Sequence, residues 1–171
     1  NYTVKKRCVG LATMSKQLAY EAGTAGPTLR GSGNAIDVRN TPDWDIYKDL
    51  GFKTAVEQDG DCYARTKVRI TELYESIKLI RNALSKLPNG DIATPIKGFP
   101  TGEAIMRTEQ PRGEVVYYVK GNGTKNLQRL KVRTPTFANI PSLLLTLPGV
   151  KLADVPIVVL TIDPCISCTE R

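Results

Sequence analysis

Histidine is absent from all 171 residues, so within this chain imidazole can serve neither as a general base nor as a zinc ligand. Aromatic residues make up only 6%, and the basic residues are scattered, with "VKKR" the one cluster. The net charge of +7 therefore reads as a solubilising surface or a face for an acidic partner. A nucleic-acid footprint, with basic residues concentrated on one face, is not expected. No apolar run reaches the eighteen or so residues needed to cross a bilayer. A start methionine is also missing, and "NYTVKKRCVGL" does not have the pattern of a signal peptide. The expectation is a fragment, a split subunit or the ordered part of a longer chain. The four cysteines, Cys8, Cys62, Cys165 and Cys168, do not suit a disulfide scaffold in a chain this long and apolar.

What remains is an ordinary globular composition, 41% hydrophobic and 24% charged, long enough for one domain burying roughly two thirds of its extended surface. The coarse pattern predicts an α+β fold. Residues 11–22 suit a short helix ending before Gly23. The next twenty or so residues, rich in glycine and proline, read as a surface loop. A loop of that length inside a compact domain usually signals function, and small residues there let backbone approach a ligand or partner.

From about Arg65 a long helix is expected. Ile70, Leu73, Tyr74, Ile77, Ile80, Leu84 and Leu87 recur at three- and four-residue spacing as one apolar stripe, and Pro88–Asn89–Gly90 ends it. "IKGFPTGEAIMRTEQPRG" reads as a turn-rich connector. "GEVVYYVKGNG" and "LQRLKVRT" read as a hairpin across Asn122–Gly123. "SLLLTLPG" suits a short helix with Ser142 as N-cap, while "ADVPIVVLTID" is compatible with either strand or helix.

The chemistry concentrates at the end of the chain, in "TIDPCISCTER". Two thiolates three residues apart can meet one soft metal when the backbone between them turns. A metal is the favoured reading, its two further donors being Cys8 and Cys62 or groups on another chain; a thiol–disulfide pair and structural cysteines are the alternatives. Asp163 suits a relay, a counter-charge or a cap, and Pro164 fixes the backbone ahead of the first thiol. Arg112, between Pro111 and Gly113, sits on a rigid base, and its forked guanidinium suits an anion, a place over a charged metal cluster, or an ion pair with Asp163 or Glu109.

"DPCISCTER" resembles the carboxy-terminal motif of the nickel–iron hydrogenase large subunit. In membrane-bound, energy-converting members of that family arginine replaces the final histidine, as Arg171 does here. The resemblance continues through "GPTLRGSG", "DVR", "GDCYARTKVRITELYES", "LPNG", "EQPRGEVVYYVKGNG", "VRTPTFANI" and "LADVPIVVLTIDPCISCTER". It covers the second half of such a subunit, so residues 1–171 are expected to form the C-terminal portion of a helix-rich hydrogenase large-subunit-like domain with a small antiparallel β element. The related quinone-site subunit of respiratory complex I shares the framework but lacks the four thiolates.

The resemblance implies that Cys165 is a terminal nickel thiolate and that Cys168 bridges nickel to an iron carrying carbon monoxide and two cyanides. The other two thiolates would come from an RxCGxC-like motif absent here, and Cys8 and Cys62 lie outside the metal motifs. Arg112 would project over the open bridging position, Asp163 would hold it, and Thr136 would bond a cyanide nitrogen, with Pro111 and Pro164 beside the centre. It implies reversible hydrogen–proton interconversion and a terminus clipped after nickel insertion and then buried. The implied partners are the N-terminal half of the subunit (same precursor or separate chain), an iron–sulfur small subunit bearing the clusters, and membrane subunits of a complex I-like arm. The location would be peripheral, on the cytoplasmic face of the cell membrane. Two alternatives stand beside this: a non-catalytic framework or coupling subunit, and a CxxC thiol-redox or zinc domain.

Overall fold

Asp61 starts the longest element of the protein by accepting the N–H of Ala64 at 2.7 Å, which satisfies one of the orphan donors of the first turn. The computed structural model describes residues 1–170, so the expectations attached to Arg171 and its burial lie outside the described residues. Helix α5 (Cys62–Ser85) begins three residues earlier than the periodicity predicts, because the cap precedes the stripe. Four short helices come before it in the chain: α1 (Tyr2–Cys8), α2 (Lys16–Glu21), α3 (Gly26–Arg30) and α4 (Ile46–Asp49). Helix α2 occupies part of the segment expected to be helical, starting only where the Ser15 hydroxyl accepts the N–H of Leu18.

The glycine-rich stretch after α2 is buried over residues 24–34 rather than a surface loop throughout. Gly26 has φ +63°, and a Cβ there would lie 2.4 Å from the carbonyl oxygen of Arg112. Only glycine permits both the left-handed backbone and this approach.

The sheet has three antiparallel strands in the order β1 (Thr101–Gln110), β2 (Gly113–Asn122) and β3 (Arg129–Arg133). The β2–β3 pairing matches the expected hairpin, with Val116 opposite Arg133. Strand β1 replaces much of the expected connector. Its first seven residues are exposed, so no alternating core face marks it; the ladder to β2, from Thr101–Asn122 to Gln110–Gly113, holds it instead. A two-residue turn at Pro111–Arg112 joins the pair.

Helix α6 (Pro135–Thr146) starts at a proline whose missing N–H costs nothing in the first turn. Ser142 is therefore not an N-cap: it is buried in mid-helix and donates to the carbonyl of Asn139 at 2.6 Å. The ambiguous apolar run is helix α7 (Val155–Thr161), with Pro156 in its first turn, and α8 (Ile166–Thr169) carries Cys168, with Cys165 at its N-cap position. The α+β class and the C-terminal-half architecture hold.

One core cluster joins Cys8, Cys62 and Val158, with Leu143, Leu147 and Ile157 packed against it. A second joins Met14, Ala19 and Leu29. Arg65 is buried with them because the carbonyls of Gly60 and Ala12 accept from its guanidinium at 2.9 and 3.0 Å, which offsets its desolvation. The apolar stripe of α5 is not in this core: Ile70, Leu73, Tyr74, Ile77, Ile80 and Leu84 are all exposed. Among the described residues, no helix is long and apolar enough to cross a membrane.

Candidate functional site

The β1–β2 turn and the end of α7 meet at one corner. Arg112 donates from Nε to the Asp163 carbonyl at 2.9 Å, and the same nitrogen lies 3.5 Å from Asp163 Oδ2. Of the two carboxylates expected as partners, Arg112 takes Asp163. Asp163 has φ +55°, a left-handed conformation that aspartate tolerates better than most residues. It turns its carbonyl back toward the arginine just before Pro164.

Thr136, buried in the first turn of α6, accepts the Cys165 N–H at 3.2 Å. The neighbouring Thr134 hydroxyl donates to the Cys168 carbonyl at 2.5 Å. The hydroxyl that the resemblance aims at a cyanide thus anchors the cysteine backbone here. Arg112, Asp163, Thr136, Cys165 and Cys168 come together at this corner, with Pro111 and Pro164 flanking it.

The thiols are free and partly exposed. The Cys165 pKa is lowered to about 7, chiefly by its hydrogen bond with Ser167 and then by Cys168. The Cys165 Sγ lies 3.1 Å from the Ser167 Oγ. Burial, followed by the interaction with Cys165, raises Cys168. Cys165 is thus the more readily ionised thiol of the pair.

Behind the corner lies a buried ionic network. Arg30 on α3 reaches Asp37 at 3.2 Å, Glu72 on α5 at 2.7 Å and Glu109 on β1 at 2.8 Å, while Arg39 pairs with Asp37 at 2.7 Å. Burial opposes the Arg30 charge, yet Glu109, Glu72 and Asp37 together hold its pKa above the ordinary value. For Glu109, burial raises the pKa above the ordinary value, with Arg30 opposing it. A cavity of about 400 Å³ opens beside the network, lined by Arg39, Arg69, Glu72, Glu109, Pro111 and Asp163 among others.

Residue-by-residue reading missed two participants. Asn139 is fully buried and bridges α3 to the Arg112 turn: its Oδ1 accepts the Ala25 N–H at 2.8 Å, and its Nδ2 donates to the carbonyls of Ala25 and Arg112 at 3.2 and 3.4 Å. Arg69 lines the cavity and has its pKa lowered to about 10 by burial. An asparagine in "PTFANI" or an arginine on a charged helix carries no local signal. Only the fold makes these two exceptional.

The residues do not fit the four-thiolate centre implied by the resemblance. Two thiols converge at the corner, Cys8 and Cys62 belong to the apolar core, and among the described residues no group of three or more His, Cys, Asp or Glu side chains could hold a metal.

The family described as "Respiratory-chain NADH dehydrogenase, 49 Kd subunit" matches residues 1–171. The chain is 42% identical over 172 residues to the carbon monoxide-induced hydrogenase of Rhodospirillum rubrum, covering 100% of this chain and 48% of that protein. It is 40% identical over 186 residues to the alpha subunit of the membrane-bound hydrogenase of Pyrococcus furiosus, covering 99% and 44%. To a subunit of the F(420)H(2) dehydrogenase of Methanosarcina mazei it is 34% identical over 176 residues, covering 98% and 47%. The chain spans about half the length of the curated relatives it matches. The same span also matches proteins named as NAD(P)H-quinone and NADH-quinone oxidoreductase subunits. These matches and the incomplete donor set correct three expectations: the catalytic nickel–iron role, the hydrogenase activity, and the nickel–iron cofactor with its attendant clusters.

Proposed function

The chain belongs to the family of the 49 kDa subunit of respiratory-chain NADH dehydrogenase, and we propose that it is a non-catalytic framework and coupling element of a complex I-like oxidoreductase assembly. The observation that carries this reading is the ionic chain from Arg30 through Glu72 and Glu109 to the cavity flanked by Asp163. It crosses three elements, α3, α5 and β1. A change of charge at the cavity therefore acts on all three at once, because breaking a buried pair leaves an uncompensated charge.

In this role residues 1–171 form the C-terminal portion of the subunit. Arg112 and Asp163 tie the β1–β2 turn to α7, while Pro111 and Pro164 stiffen the two backbones that meet there. Thr136 holds the terminal segment through Cys165, and Cys165 and Cys168 act as positioned thiols. The partners are the N-terminal half of the same subunit, an iron–sulfur small subunit and the membrane subunits of the arm. The element is peripheral, at the cytoplasmic face of the membrane.

The test is made in the assembled complex. With Cys165 and Cys168 both changed to serine, assembly and electron transfer should be retained, whereas Glu109→Gln should lower coupled turnover with the subunit still assembled. Loss of turnover in the cysteine variant, with assembly intact and nickel present in the parent complex, would overturn the proposal.

A further inference from the structure

Arg69 reaches the cavity beside the ionic network with most of its donors unused. Its Nη1 donates to the Arg65 carbonyl at 3.2 Å, the long end of such bonds. Its Nε and Nη2 are buried with no hydrogen-bond partner among the described residues. A desolvated guanidinium in that state is costly where it stands, and three carboxylates line the same cavity: Glu72, Glu109 and Asp163.

Two of the three have an oxygen uncommitted. Glu72 offers Oε1 to Arg30, whose Nε and Nη2 reach it at 3.0 and 2.7 Å. Asp163 offers Oδ2 to Arg112, 3.5 Å from Nε. Glu72 Oε2 and Asp163 Oδ1 take no ion pair or hydrogen bond among the described residues. Glu109 is filled by contrast, with Oε1 on Arg30 at 2.8 Å and Oε2 on the Val38 N–H at 3.3 Å. Burial lowers the Arg69 pKa to about 10, and the carboxylates that oppose it are Asp163 first and Glu72 after it. Glu72 lies three residues along α5, on the same side of the helix, and Asp163 lies just past α7. A long unbranched side chain reaches either by a change of rotamer, and the cavity of about 400 Å³ leaves the space.

We propose that Arg69 swings between these two carboxylates, pairing with Asp163 at the corner or with Glu72 in the ionic chain, and that the charge at the corner decides which. The inference rests on the reading of the ionic chain as a coupling path and supplies its moving element. Positive charge gained beside Asp163 drives Arg69 toward Glu72, where it competes with Arg30, and Arg30 keeps Asp37 and Glu109. Negative charge gained at the corner draws Arg69 back. Corner and chain thus bias one two-position element, which is the physical requirement for coupling between sites.

The test uses side-chain-resolved cryo-electron microscopy of the assembled complex. In the unmodified complex Arg69 should be held by Asp163 or Glu72; a guanidinium held by any other group would overturn the inference. Asp163→Asn should leave Arg69 on Glu72, and Glu72→Gln should leave it on Asp163. The same Arg69 position in both variants would also overturn it. Coupled turnover gives a second readout. The combined Asp163→Asn/Glu72→Gln variant should depart several-fold from the product of the single effects, and the effects should simply multiply once Arg69→Gln is added. Simple multiplication with Arg69 present would count against the swing. Failure of the coupling role is read separately, as unchanged turnover in Glu109→Gln, and the position of Arg69 is still decided by the maps.

Discussion

The two ends of α5 obey opposite rules. Its first turns bury Cys62, Ala64, Arg65 and Val68, small or hydrogen-bonded side chains that let other segments close in. Its later turns leave Ile77, Ile80 and Leu84 in the open. One buried charge, Arg65, sits among apolar side chains at the first end, while the apolar stripe of the later turns faces outward, which an ordinary amphipathic helix would bury. A charged group is buried where the chain supplies its partners, and an apolar face stays exposed where it does not.

The largest effect that would break this contrast is expected at Arg30. Arg30→Met leaves Glu72, Asp37 and Glu109 facing one another in the interior and should cost about 3–5 kcal/mol, read as a lowered midpoint in urea unfolding. Gly26→Ala should follow, at about 1–3 kcal/mol, because the new Cβ meets the Arg112 carbonyl at 2.4 Å in a left-handed backbone. Thermal unfolding would measure the loss, and faster amide exchange around the β1–β2 turn would locate it. Asp61→Ala should cost about 0.5–2 kcal/mol through the lost cap, somewhat more because Asp61 Oδ2 also accepts the Gly10 N–H at 2.7 Å.

The exposed end should respond least. Leu84→Gln should change the stability of residues 1–171 by less than about 0.5 kcal/mol, and a large loss there would remove the contrast. A chemical version separates the two kinds of thiol. Because the Cys165 pKa is near 7, its thiolate fraction, and so its alkylation rate by iodoacetamide, should rise with pH through the neutral range. Cys8, buried and with its pKa raised mainly by burial, should stay unreactive until unfolding.

The long helix, the β2–β3 hairpin and the α+β class were legible because local pattern carries them. Strand β1 was not, since an exposed strand held by its neighbour has no hydrophobic period of its own. At the site, the residues singled out one by one did converge, but the chemistry assigned to them was corrected. A CxxC is compatible with a metal centre only when further donors arrive. Asn139 and Arg69 went unread because their importance is burial, which no short stretch encodes.

Composition and spacing by themselves determined that these 171 residues offer no histidine, that α5 exists and has a stripe, and that two thiols stand close together in the last of these residues. Tertiary structure alone decided that the stripe faces outward, that Arg112 turns to Asp163 while Glu109 goes to Arg30, and that only two thiols meet at the corner. The reason is physical: a helix or turn is fixed by neighbours in sequence, whereas the partner of a charge or a thiol is fixed by which distant segments the packed core brings within about 3 Å.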